Sequence, residues 1–325
     1  MKWTLKALVM VLTLCAPTFA QSEEFPARQV QVVFPFGAGG GGDTATRIFA
    51  ETMAKKLGQK FVVMNVPGAN GATGANVALS AARDGYTYPI LSSGSAIAYA
   101  SVKGSEKELG YSLGEFEPVS GFAVFANVIF VSADSPFKTL GDVLAFARAR
   151  PCELNVGVTT VNSANDLAAK VLERTARVRY QVVNYKTAGE LMTGVLRGDV
   201  QVGVQLYGAV KGMVQSDKVR ALAIVTKQRA AYLPDVPAVA ETLPGYDVPS
   251  WMGFYVPKGV PKERVALLAE ATRSALKDPE LVAKFAALGF VPLPTGPEKQ
   301  GVRMRDEILK WEGFFATKQE VACGK

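Results

Sequence analysis

The feature that most restricts this chain is a strand-like run that breaks directly into glycine. Val30-Gln31-Val32-Val33-Phe34 is dense in β-branched residues, and every residue from 37 to 42 except Ala38 is glycine. The first segment reads as a buried strand, and the second lets the backbone turn sharply. Phe49, Met53 and Leu57 then recur at four-residue intervals, the apolar stripe of a helix, which Gly58 ends. Phe61 to Met64 is a second strand. Strand, glycine loop, helix and strand in this order make a βαβ unit. Its strands are parallel and need helices to cover them, so the chain is α/β.

The same rhythm continues. Asn65 to Gly71 is turn chemistry, a small-residue helix through Ala75, Ala78 and Ala81 follows, and Asp84-Gly85 leads to a strand over 86–91. Ser92-Ser93-Gly94-Ser95 reads as a loop, and 103–113 as a surface excursion. Phe122 to Val131 reads as one long strand able to run from one lobe into another. A second α/β series starts at Ser135-Pro136. Strands over 154–158, 181–184, 200–204 and 222–225 alternate with helices over 140–149, 167–175 and 189–196. Trp251 to Val256 reads as a returning strand, followed by helices over 262–276, from Pro279 to Gly289, and 298–315. The restart favours two lobes over a single doubly wound domain.

The first twenty residues read as an export signal. Lys2 and Lys6 precede the apolar run 7–16, and Thr18-Phe19-Ala20 offers small residues around a cut. A run of that length is too short for a bilayer core of about 30 Å. Bulky Leu14 argues against a lipid anchor on Cys15. Cys152 and Cys323 remain; an oxidising compartment could join them, or they stand as two separate thiols. Histidine is absent, which removes Ser-His-Asp and Cys-His nucleophiles and every histidine-bearing zinc motif. The formal charge of +7 is scattered, with no long basic run; it is weakly compatible with anionic ligands and gives little support for nucleic acid.

Gly37, Gly39 and Gly42 satisfy the G-x-G-x-x-G spacing of dinucleotide-binding loops. That chemistry also wants an acid at the end of the second strand to hold a ribose, and the residue there is Asn65. No Gly-Lys-Ser/Thr follows for a nucleoside triphosphate. The loop physics survives without a cofactor: glycines admit a ligand closely, and a helix N-terminus accepts a carboxylate as readily as a phosphate. Asp43 reads as a cap on that helix. The Thr/Asn/Ser-rich loop 159–165 occupies the matching strand-to-helix position in the second series, and Ser92, Ser93 and Ser95 offer hydroxyls from a third loop. All of these residue types also occur as ordinary caps and turns.

Phe25-Pro26-Ala27-Arg28, Pro35-Phe36-Gly37-Ala38-Gly39-Gly40-Gly41-Gly42-Asp43 and Arg47 together resemble the start of the periplasmic solute-binding proteins of tripartite tricarboxylate transporters, the Bug or TctC-like family. The likeness continues through Asn65 to Gly71, Asp84-Gly85-Tyr86-Thr87, Gly198-Asp199-Val200 and, most specifically, Leu233-Pro234-Asp235-Val236-Pro237-Ala238-Val239-Ala240-Glu241. Ser250-Trp251 and Pro257 complete it. The resemblance implies a two-lobed periplasmic binding fold (a Venus flytrap), with lobe 1 at 21–124 plus 250–325 and lobe 2 at 125–249. It implies no enzyme activity and no cofactor. The expected partners are a small organic carboxylate and the inner-membrane permease subunits of a bacterial transporter. The protein is expected to be a monomer in the periplasm.

The candidate ligand contacts are Phe36, Gly37, Ala38, Gly39, Gly40, Gly41, Asp43, Asn70, Ser92 and Ser93 from lobe 1. Lobe 2 offers Thr160, Asn162, Ser163, Asn165, Tyr185 and Gln205. Several positions depart from the family pattern, among them 184–187 and 199–201. Asp166 stands where a histidine is usual, and Gln205 where an aspartate is frequent. Loss of that charge disfavours an ammonium-bearing ligand and favours an uncharged tail. A receptor-docking sensor and, more remotely, a nucleotide enzyme built on the glycine loop are the rival readings.

Overall fold

Apolar residues packed on both faces of a strand leave it only one place, the middle of a sheet covered by helices. Val30–Phe34 (β1) takes that place: Val30, Val32, Val33 and Phe34 are all buried. The computed structural model describes residues 24–102, 106–159, 161, 163–317 and 323. The export signal expected at 1–20 lies outside the described residues, as do Thr160 and Asn162.

β1 pairs in parallel with Phe61–Asn65 (β2) on one side and Thr87–Ser92 (β3) on the other. The sheet is extended by three antiparallel strands, Phe116–Phe125 (β4), a late-returning strand Ser250–Pro257 and a short strand Phe290–Pro292. The second sheet holds Asn127–Ser132 (β5), Asn155–Thr159 (β6), Gln181–Tyr185 (β7), Val202–Leu206 (β8) and Val219–Ile224 (β9). Naming the two late strands β10 (Ser250–Pro257) and β11 (Phe290–Pro292), the orders are β11-β4-β10-β3-β1-β2 and β7-β6-β8-β5-β9. β6, β7 and β8 run parallel, while β5 lies antiparallel to β8 and β9. The fold is thus two α/β lobes.

The single long strand expected over 122–131 is two strands, broken at Ala126. Its carbonyl accepts the Tyr207 N–H, and Asn127 enters the second sheet. The chain returns beside this crossing: the Val248 N–H donates to Val225, while Ser250 pairs with Phe125. Two adjacent extended segments therefore join the lobes. Both lie at the C-terminal ends of the parallel strands, where open α/β sheets hold their ligands.

A third connection is made by the long helix Pro297–Ala316. It packs on lobe 1, yet Trp311 belongs to the lobe 2 core, with Phe314 and Phe315 against it. The Arg174 guanidinium lies 4.0 Å from the Phe314 ring centre. Buried Glu307 accepts both indole N–H groups, from Trp251 at 3.2 Å and Trp311 at 2.6 Å. Beyond this helix, Cys323 is disulfide-bonded to Cys152 of lobe 2, their Cα atoms 5.5 Å apart.

Candidate functional site

The loops after β1, β2 and β3 converge. Residues 36–40 are exposed, and side-chain positions at Gly37, Gly39 and Gly40 would face open space, so this stretch of backbone is bare. Gly39 has φ +82, a conformation that favours glycine. Gly42 is required by packing, since a Cβ there would come within 2.9 Å of the Phe34 ring.

The helix Gly41–Leu57 that follows has Gly40 as its N-cap and no side-chain cap bond. Its first N–H groups are therefore left for water or a ligand, and its dipole favours an anion there.

Asp43 braces this arrangement from inside. It is 4% exposed, and its Oδ2 accepts the Gly39 N–H and the Arg47 Nε–H, both at 3.0 Å. Oδ1 accepts from Asn65 Nδ2 at 2.8 Å and faces Arg47 at 3.0 Å. Asn65 also donates to the Phe36 carbonyl and accepts from Arg47. Burial pushes the Asp43 carboxyl up. The bonds from Arg47, Gly39 and Asn65, with the charge of Arg47, together outweigh that and hold it below its usual value. The expected cap is thus a brace that folds the loop on itself. Asn65, where a nucleotide site would need an acid, is part of it.

The neighbouring loops join this one. Asn70 is half-buried with φ 51, a left-handed position asparagine tolerates. A Cβ on Gly71 would meet Ser95 Oγ at 3.3 Å and Pro35 at 3.4 Å, which shows how closely the three loops pack. The segment read as a serine loop is helical over Ser93–Ser101. Ser92 and Ser93 are buried, and Ser93 Oγ accepts the Trp251 N–H at 3.4 Å.

In lobe 2 the strand ends converge on Thr159, the first residue of the 159–165 loop, though not one of the named ligand contacts. Its Oγ1 accepts from Asn165 Nδ2 at 2.8 Å and Gln205 Nε2 at 3.1 Å, and its carbonyl from Ser163 Oγ at 2.7 Å. Ser163 caps the helix Ala164–Ala176 by accepting the Asp166 N–H, and also contacts Asn165. Gln205 is 8% exposed, and its carbonyl oxygen accepts the Leu206 N–H. Asp166 pairs with Lys170 at 2.8 Å. β-sheet register sets Tyr185 beside Thr159, but its ring lies on Gly157 and its hydroxyl over Gly194 of the helix Ala188–Arg197. Ser163, Asn165 and Gln205 are therefore one cluster, while the Tyr185 hydroxyl turns to the helix.

Among the described residues no group of three or more histidine, cysteine, aspartate or glutamate side chains is placed to hold a metal ion, and no helix is long and apolar enough to cross a membrane.

Residues 45–318 match the tripartite tricarboxylate transporter family receptor. Protein BugT of Bordetella pertussis is 30% identical over 302 residues, covering 92% of this chain and 91% of the relative. Among solved structures, R. palustris Rpa4515 with adipate has a TM-score of 0.79 at 29% identity, covering 89% of this chain and 97% of that one. MatC from Rhodopseudomonas palustris with bound malate has a TM-score of 0.76 at 29% identity, covering 90% of this chain and all of the other. These are periplasmic binding folds, and their architecture is the two-lobed one described above. The chain belongs to the TctC/Bug family of tripartite tricarboxylate transporter receptors, and is an extracytoplasmic carboxylate-binding protein rather than an enzyme.

Proposed function

We propose that this protein, once residues 1–20 are removed on export, captures a small organic di- or hydroxycarboxylate between residues 21–124 plus 250–325 and residues 125–249. It then hands the acid to permease subunits in the inner membrane. The observation that carries this reading is the uncapped start of the helix Gly41–Leu57, presented on a bare glycine loop and braced by Asp43. One carboxylate sits there, on backbone N–H groups of the first helical turn. The Thr159, Ser163, Asn165 and Gln205 cluster closes over the bound acid from lobe 2 with neutral groups. Closure excludes water and strengthens each bond, and the acid shifts the population toward the closed form. Adipate and malate in the two related structures are acids of this class.

The test is a melting-point panel on residues 21–325, refolded to strip carried-over ligand, against di- and tricarboxylates, aromatic acids, acidic amino acids and sugars. An acid at a hundred times its dissociation constant adds about 2.7 kcal/mol, a shift of about 5 °C. Response to sugars alone would defeat the proposal.

A further inference from the structure

Two hydroxyls at the inner end of lobe 1 are buried without a hydrogen-bond partner among the described residues, Ser92 Oγ and Ser250 Oγ. Ser92 is 2% exposed and Ser250 is 1% exposed. Buried polar groups in native proteins are nearly always satisfied, so two vacant hydroxyls in one place require a reason.

They are in one place. β10 runs antiparallel to β3 with Met252 opposite Ser92, and Ser250 precedes Met252 by two residues. Opposite residues share a sheet face, as do residues two apart on a strand, so Ser92, Met252 and Ser250 line the same face. Met252 carries that face to the glycine loop, its methyl 3.8 Å from where a Cβ on Gly42 would stand. Ser92 Oγ lies 3.2 Å, and the Asn70 carbonyl 3.8 Å, from the point a Cβ on Gly94 would fill. Ser92 also immediately precedes the helix Ser93–Ser101, whose N-terminus favours negative charge. Asp43, on the glycine-loop side of this face, is committed to Gly39, Arg47 and Asn65. Two neutral hydroxyls able to donate, set beside a helix start that favours negative charge, suit a carboxylate or hydroxyl better than an ammonium.

We propose that Ser92 and Ser250 form an inner hydroxyl pair that binds the second oxygen-bearing group of the ligand, a carboxylate or hydroxyl beyond the carboxylate on the glycine loop. The pair selects di- and hydroxy acids over monocarboxylates of equal length. This rests on the function proposed above and adds Ser250 to the site.

Calorimetry on residues 21–325, and on its Ser250→Ala and Ser92→Ala variants, tests it with matched acids: succinate against butyrate, adipate against hexanoate, and malate against succinate. The wild type is expected to prefer a diacid to its monoacid at least tenfold. Each variant should lose most of that preference, with monoacid affinity and the ligand-free melting point unchanged. A preference for succinate over butyrate assigns the group as carboxylate, and one for malate over succinate assigns it as hydroxyl. If the variants keep the wild-type preference, the pair is overturned while the carboxylate-binding function stands. A ligand-free melting point several degrees lower in both variants also overturns it, because the hydroxyls would then be serving the fold. If the wild type binds none of the acids, the pair and the function on which it rests fall together.

Discussion

The two lobes begin their first cleft helix in the same place and finish it differently. Each helix follows a parallel strand, and each carries an aspartate in its first turn paired with a cation four residues on, Asp43 with Arg47 and Asp166 with Lys170. In lobe 2 the helix start is closed: Ser163 caps it, and Asn165 and Gln205 are tied to Thr159. In lobe 1 the cap position is Gly40, with no side-chain bond, and the aspartate reaches back to Gly39 so that the loop stays folded and open. The same helical device is thus satisfied from within in one lobe and left for an anion in the other. Lobe 1 supplies the charge complementarity, and lobe 2 the neutral closing surface.

The bluntest way to break this comparison is to cut the covalent tie between the halves. Cys152 and Cys323 are 171 residues apart in sequence, and closing a loop of that size is worth about 5 kcal/mol in the chain-entropy picture. Urea unfolding of a Cys152→Ser/Cys323→Ser variant should show a loss of that order. A loss below about 1 kcal/mol would mean that Trp311 and Phe314 hold the tail without help. Next in size, Asp43→Ala should cost about 2–3 kcal/mol, since charge-assisted bonds to a buried carboxylate are lost. Carboxylate affinity should fall at least tenfold, as the loop loses its brace. Ser163→Ala should cost about 1 kcal/mol, an ordinary cap, with affinity changed only a few-fold. Equal affinity losses for Asp43→Ala and Ser163→Ala would erase the asymmetry between the lobes.

Much of this fold was legible because its signals are local. The β-branched run at 30–34, the glycine loop and the stripe Phe49, Met53, Leu57 each announce an element without help from distant residues. The helix Ser93–Ser101 was not legible. Serine, glycine and alanine there carry no strong periodicity, and what makes them helical is burial of Ile97 and Ala100 against the other lobe. Ser250 escaped for a related reason, since a single hydroxyl at a strand end acquires meaning only from the neighbours that sheet register brings. Tyr185 shows the converse, a plausible contact whose hydroxyl turns onto Gly194. The most recognisable motif, 233–241, is scaffold. Glu241 accepts two bonds from Arg229 and one from the Ala238 N–H, which lower its carboxyl to about 2.

The smallest effect is also the sharpest reading of the lobe 1 brace. Carbon-13 NMR titration of the Asp43 carboxyl in the folded protein should give a midpoint below 3.8, its ordinary value. A group whose folded pKa is depressed stabilises the fold fully above its unfolded pKa, and that contribution is lost as the pH falls through the folded pKa. From neutral pH down to about 4 the brace should therefore be at full strength, with its contribution disappearing only below that. Burial is the largest single influence on this carboxyl and acts upward, so the low value depends on Arg47, Gly39 and Asn65 acting together. Arg47→Met removes both a hydrogen bond and a charge. The Asp43 midpoint should then rise, and the pH at which the brace weakens should rise with it. An unmoved midpoint would take Arg47 out of the brace. It would leave Gly39 and Asn65 to hold the loop open, and the resemblance between the Asp43–Arg47 and Asp166–Lys170 pairs would be one of spacing alone.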